Sequence, residues 1–302
     1  MRITQNMLSD AALRGMQANL TKVSDLQRDA VTTKRLHRPS DDPFALEQSL
    51  AFRAKIATSE SVRDNIEMSR NWLNVTDAAL SDTAGLLTRA RMLNIQGAND
   101  TLGPEERQSV SIEVNQMLEE MLAVANTRHG DDYIFSGFET DQPPFVAVRD
   151  ATGQITSVTV NPPDGIAGQI IREIEPGVDM VVNVPGDAVF PDTFTALMDL
   201  RDALVAVPYS QQTVSDLIAD LKGRQDTSLD VQAAVGTKLR RIDSAVARME
   251  NTELGMRELL SKAEDADMPE VISDLQQQQY IYQTALAVNG QILRTSLLDF
   301  IR

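Results

Sequence analysis

The side chains able to do chemistry are few and scattered along the sequence. His129, Asp131 and Asp132 form the cluster that comes nearest to a metal site. A single imidazole beside a glycine is the composition of a helix-ending turn, however, and no Cys or second His stands at ligand spacing. Asp41 and Asp42 have the chemistry of a general acid/base pair. They lie between Pro39 and Pro43, where short acidic side chains more simply turn the chain and cap a helix. Ser40, Asp41, Asp42 and Pro43 are therefore assigned to a turn and a helix start, and His37 to the end of the preceding helix. No Gly-rich phosphate loop, nucleophile elbow or zinc-binding helix occurs. Between residues 130 and 221 there is no His, Cys or Lys, so an enzyme hidden there has Asp, Glu and Arg to work with. The expectation is a protein without catalytic residues, cofactor or metal.

The bulk properties exclude further classes. Among 302 residues there are no cysteines, hence no disulfide framework and no thiolate chemistry. A net charge of -16 opposes nucleic-acid and anionic-membrane surfaces, which need clustered Lys and Arg. No apolar run approaches the length of a membrane span, and the first residues lack the apolar core of a cleaved secretory signal. The charge is uneven. Residues 1–38 hold seven Lys/Arg and three Asp, a net of +4, whereas residues 264–302 hold six acids and two Arg, a net of -4. Opposite signs favour pairing of the two ends, modestly and less so at high salt.

The elements that carry these residues are mostly helices. From Met268 to Ile301, steps of four and three pick out Ile272, Leu275, Gln279, Tyr282, Leu286, Asn289, Leu293 and Phe300. Leu297 lies on the same side, and a neighbouring row holds Ile281, Ala285, Val288 and Ile292. The stripe is wider than a two-strand seam. Asp267 is expected to cap its first turn, with Glu270 completing a capping box. At the other end, residues 3–33 carry Leu13, Met16, Leu20, Val23 and Ala30 in the same rhythm. The two ends are therefore the expected coiled-coil partners of one another, and such stripes have too few local partners to order fully in a free chain. Residues 46–99 keep strict heptad spacing through Val62, Ile66, Ser69, Leu73, Thr76, Leu80, Thr83, Leu87 and Ala90. Another helix follows Gly103-Pro104, with Val110, Val114, Met117, Met121 and Val124 inward. A last long helix runs from about Gln211 to Lys262, its face read as Leu229, Val235, Leu239, Ile242, Val246 and Met249.

Between them the character changes. Eight of the twelve prolines fall between 143 and 208, and apolar and polar residues alternate. Residues 145–160 read as a hairpin, and IIREIEPGVDMVVNVPG adds further strands. The fold class is mainly α with an inserted β-domain (α+β).

Four passages carry a family resemblance: MRITQNML at the start, RPSDDPF at 38–44, LLTRARMLNIQGANDT at 86–101, and EDADMPEVISDLQQQQ with the closing LRTSLLDFIR. Together they resemble the flagellin family. YIFSGFETDQPPF at 133–145 resembles its junction-type members more than its filament subunits. The resemblance implies terminal helices paired as a coiled coil, a helical bundle around them and an outward β-rich insert. The corresponding boundaries are 1–42 with 264–302, 43–137 with 205–263, and 138–204. It implies a structural subunit at the hook–filament junction of the bacterial flagellum, self-associating into a ring or short helical assembly beside a hook-associated protein and flagellin. It further implies an extracellular location, reached unfolded through the flagellar type III apparatus, and a cytoplasmic export chaperone on the C-terminal helix. Arg89 matches an arginine that the family presents to an immune receptor. A filament subunit and an intracellular coiled-coil scaffold are the alternatives.

Overall fold

The structure, a computed structural model, describes residues 5–99, 102–151, 153–162 and 166–300, with the side chains of 5, 6, 8, 9 and 291–300 left aside. Its helices are α1 (Gln5–Thr32), α2 (Pro43–Gly97), α3 (Pro104–Ala125), α4 (Phe190–Val205), α5 (Gln211–Glu264) and α6 (Met268–Phe300). Six short strands lie between α3 and α4: β1 (Arg128–His129), β2 (Asp132–Tyr133), β3 (Phe145–Arg149), β4 (Ile155–Val160), β5 (Ile171–Glu175) and β6 (Val178–Val181). The chain forms two compact units. One comprises residues 1–57 and 252–302, the other residues 58–251, and both α2 and α5 contribute to each.

The central unit is a helical core. Every member of the heptad row from Val62 to Ala90 is buried. Its hydroxyls cost nothing there, because Ser69, Thr76 and Thr83 each donate to the carbonyl four residues back, at 2.6, 2.9 and 2.8 Å. From α3, Val110, Val114, Met117, Leu118 and Met121 face the same core. On α5 the expected face is corrected at one position, since Val235, Ile242 and Met249 are buried and Leu239 and Val246 pack against the core. Leu229 is exposed, and the buried row is Val214, Leu221, Ser228, Val235, Ile242 and Met249. These six stand seven residues apart, so the polar Ser228 takes the interior position and the adjacent leucine is turned out.

The insert is not one sheet. β1 pairs with β2, β3 with β4 and β5 with β6, each as a separate antiparallel ribbon. A two-stranded ribbon cannot hold itself in water. These bury Phe145, Ile155, Ile174 and Met180 into the core shared with α3 and α4. Gly177, at φ +77, makes the turn of β5–β6 and donates its N–H to the Glu173 carboxylate at 2.6 Å. Phe135, Phe145, Phe190 and Phe194 meet mostly edge to face, with ring centroids 4.8 to 6.2 Å apart. Gly186 must lack a side chain here, because a Cβ would stand 2.9 Å from the Phe145 ring and 3.0 Å from the Phe135 carbonyl.

Polar side chains fasten ribbons to helices where the backbone cannot. The Asn126 amide donates to the Phe145 carbonyl at 2.9 Å and accepts the Phe145 N–H at 3.1 Å, continuing the end of α3 into β3. Lys238 of α5 donates to the Asn183 carbonyl at 3.1 Å, and burial holds its pKa below the ordinary lysine value. Arg201, on α4, is buried and donates to the Ile155 carbonyl at 2.6 Å and the Asn115 side chain at 3.3 Å. Arg201→Met keeps the packing but strands these acceptors. It is expected to cost about 2–3 kcal/mol in urea unfolding followed by the fluorescence of Trp72.

Candidate functional site: the paired ends of the chain

The terminal unit brings together five of the twelve residues that the sequence singles out as an interface, namely Met16, Val23, Leu275, Tyr282 and Asn289. α1 and α6 run antiparallel. The end of α1 meets the start of α6 through Ala266 N–H to the Thr33 carbonyl at 3.0 Å and a backbone bridge between Lys34 and Asp265. Farther along, the Gln278 amide donates to Asn19 at 3.2 Å. The stripes are thus not wholly without partners in one chain. Met16, Val23, Leu26 and Ala30 of α1 turn toward Leu275, Tyr282, Ala285 and Asn289 of α6, and these are half-buried or buried.

The rest of each stripe is bare. Leu13, Leu20, Ile272 and Leu286 are exposed by 43 to 51%, and Val31 by 84%. On α1, Leu13, Leu20 and Val31 align roughly a quarter-turn to one side of the seam. On α6, Ile281 and Val288 align roughly a quarter-turn to the other. In an antiparallel pair, equal rotations face the same side and opposite rotations face opposite sides. One face therefore shows a ridge of large residues, joined by Ile272. The other shows Ile281 and Val288 beside Ala11, Gly15 and Ala18, a shallow channel in which nothing lies within 4 Å of where a Gly15 side chain would be. The channel face continues into a groove of roughly 390 Å3 lined by Lys22, Asp25, Leu26, Asp29, Asp274, Gln277 and Gln278. The side chains of Leu293, Leu297 and Phe300 lie outside the described residues.

The turn residues hold the chain reversal after α1. Asp41 accepts the N–H groups of His37 at 3.0 Å and Arg38 at 2.8 Å, and these bonds hold its carboxyl below the usual carboxylate range. Asp42 accepts the N–H of Phe44 at 3.1 Å and of Ala45 at 3.0 Å, capping α2, whose first residue is Pro43. Ser40 is exposed within the turn. The His37 ring meets Asp29 of α1 at 2.7 Å. At the start of α6, Asp267 accepts the Glu270 N–H at 3.4 Å. The return bond of a capping box, from the Asp267 N–H to the Glu270 carboxylate, is not made among the described residues, so the box is half formed.

A residue that the sequence reading passed over lies at the centre of this unit. Glu264, the last residue of α5, is buried, its side chain 8% exposed. Its carboxylate accepts from Lys34 at 2.7 Å, Ser49 at 3.2 Å and Arg53 at 2.5 Å, and its carbonyl accepts the Arg35 N–H at 2.8 Å. Burial pushes the carboxyl up, but the hydrogen bonds and charges of Lys34 and Arg53 outweigh it and hold the group below its ordinary value. The partners lie more than 200 residues away in sequence, so no local spacing announces them.

Elsewhere, Arg89 stands on the surface of α2 and bonds Glu113 of α3, Nε to Oε1 at 2.9 Å. His129 packs edge-on to Trp72 with ring centroids 6.0 Å apart, while Asp132 accepts from the Thr140 hydroxyl at 2.5 Å. No three metal-ligating side chains gather among the described residues.

Comparison with known proteins matches both ends of the chain. The family model for the bacterial flagellin N-terminal helical region matches residues 3–140, and that for the bacterial flagellin C-terminal helical region matches residues 224–301. Flagellar hook-associated protein 3 of Escherichia coli (strain K12) is 24% identical over 313 residues, covering 94% of this chain and 95% of that protein. Two solved structures share the fold. FlgL of Bacillus cereus has a TM-score of 0.58 at 21% identity, covering 70% of this chain and 99% of that one. The flagellar junction protein FlgL of Legionella pneumophila has a TM-score of 0.60 at 16% identity, covering 72% and 100%.

Proposed function

The chain belongs to the flagellin family and is a structural component of the bacterial flagellum, and from that premise we propose that it forms the junction between hook and filament. The observation that carries this reading is the pair of unlike apolar rows left bare on opposite faces of α1–α6. A ridge of large residues on one face and, on the other, a channel of small α1 residues beside Ile281 and Val288 suit head-to-tail contact between copies, the kind of interface that closes into a ring or continues as a helix. Apolar surface contributes about 25 cal/mol per Å2 on burial, so rows that gain little in one chain become the driving force when several copies meet. Similarity at 24% identity to a hook-associated protein, together with the fold shared with two FlgL structures, supports the junction reading.

The neighbours in this reading are a hook-associated protein on one side and flagellin on the other. The subunit travels unfolded through the flagellar export apparatus, with a chaperone on α6 beforehand. Immunogold labelling of sheared flagella tests the placement. Label confined to the hook–filament boundary is the expected result, and label along the filament supports the filament subunit instead. Cells lacking the protein are expected to keep hooks but fail to retain long filaments.

A further inference from the structure

We propose that Glu264 is an acid-opened clasp: ionised, it holds the stretch after α1 and the start of α2 against the end of α5, and neutralised, it lets them part while the central unit stays folded. The geometry is that of a single bolt. One buried carboxylate receives Lys34 from the stretch between α1 and α2, and both Ser49 and Arg53 from α2. The charged groups facing it are these two cations, whose side chains are 39% and 50% exposed. Arg35 approaches the same place but gives its Nε to the Ala263 carbonyl at 3.0 Å.

Backbone bonds and some apolar packing also join these segments. The Arg35 N–H to the Glu264 carbonyl and the Ala266 N–H to the Thr33 carbonyl are the backbone bonds beside the clasp. Of the apolar residues nearby, Ala45 and Ala263 are buried but small, Leu46, Phe52, Met256 and Leu260 are only half-buried, and Phe44, Leu50 and Leu259 are exposed. Such a junction combines incomplete packing with a buried charge, unlike the phenylalanine core of the other unit. The sign follows from the lowered carboxyl. The closed clasp binds fewer protons than the open one, so its stability is complete above the ordinary carboxylate range and is lost as pH falls through the lowered value. Neutralisation leaves two half-exposed cations that water can take back, so release is cheap.

Amide exchange of the full chain from about pH 7 to about pH 3, corrected for intrinsic rates, reads the clasp at Arg35 and Ala266. Fluorescence of Trp72, the single tryptophan, reads the central unit in the same samples. Protection at both amides is expected to fall about tenfold or more in acid before Trp72 changes. Glu264→Gln is expected to show that loss already at neutral pH and to flatten the acid dependence. Arg53→Met, which keeps the carboxylate but removes one cation, is expected to move the opening to higher pH. The proposal is overturned if Glu264→Gln keeps wild-type protection or loses the Trp72 signal as well. It is equally overturned if the two amides open only together with the core.

Discussion

Leu20→Asp and Leu286→Asp are each expected to abolish assembly while leaving the free subunit within about 0.5 kcal/mol of its normal stability. Both residues are already near half exposed in the single chain, so a carboxylate there loses little burial on folding. In an assembly the same carboxylate would be taken out of water against apolar neighbours, which costs far more than the row contributes. Gly15→Leu makes the distinction sharper. A helix interior favours leucine over glycine by somewhat under 1 kcal/mol, and the space beside Gly15 is open, so the subunit should gain stability. The same side chain fills the shallow channel that would receive a neighbour's ridge, so assembly should fail. Sedimentation of the assembly beside urea unfolding of the free subunit measures both quantities. Normal assembly by Gly15→Leu together with Leu20→Asp would remove the two-faced interface.

Phe190→Ala is expected to be the most damaging single change in the central unit, at about 3–5 kcal/mol. Its ring contacts those of Phe135, Phe145 and Phe194 at once, so removing it opens a hole bordered by the segment after β2, by β3 and by α4. The ribbons have no sheet of their own to fall back on. Loss should therefore spread through residues 132–185, as rapid proteolysis between Glu139 and Gly186 with protection of α2 and α3 retained. Phe138→Ala is the control. That ring is exposed, and the cost should stay below about 1 kcal/mol.

The two outcomes separate what holds the subunit together from what it offers to neighbours. The core of residues 58–251 is closed by apolar burial and by buried polar ties such as Arg201 and Asn126. The terminal pair is closed on one strip only and remains apolar on both flanks. Substitutions in the core act on folding, and those on the flanks act on assembly. The Glu264 clasp joins segments within the terminal unit and answers to charge.

Periodicity along the chain was enough to find the helices, because a helix repeats its environment every three or four residues and leaves that repeat in the sequence. The row from Val62 to Ala90, the start of α2 after Asp42, the ribbon at 145–160 and the mutual pairing of the two ends are all readable in the sequence, whereas α1 stops at Thr32, before the end expected at His37, because Thr33 takes φ +59. Tertiary structure alone decided the rest. Ser228 displaces Leu229 inward because helix phase outranks hydrophobicity at one position. The ribbons stay separate because each is buried against helices instead of an adjacent strand. The bare rows fall on opposite faces because α1 and α6 run antiparallel, a relation between elements that neither sequence contains. Glu264 and Arg201 matter through partners far away in the chain, and a charge looks the same in sequence whether water or a buried cation will surround it.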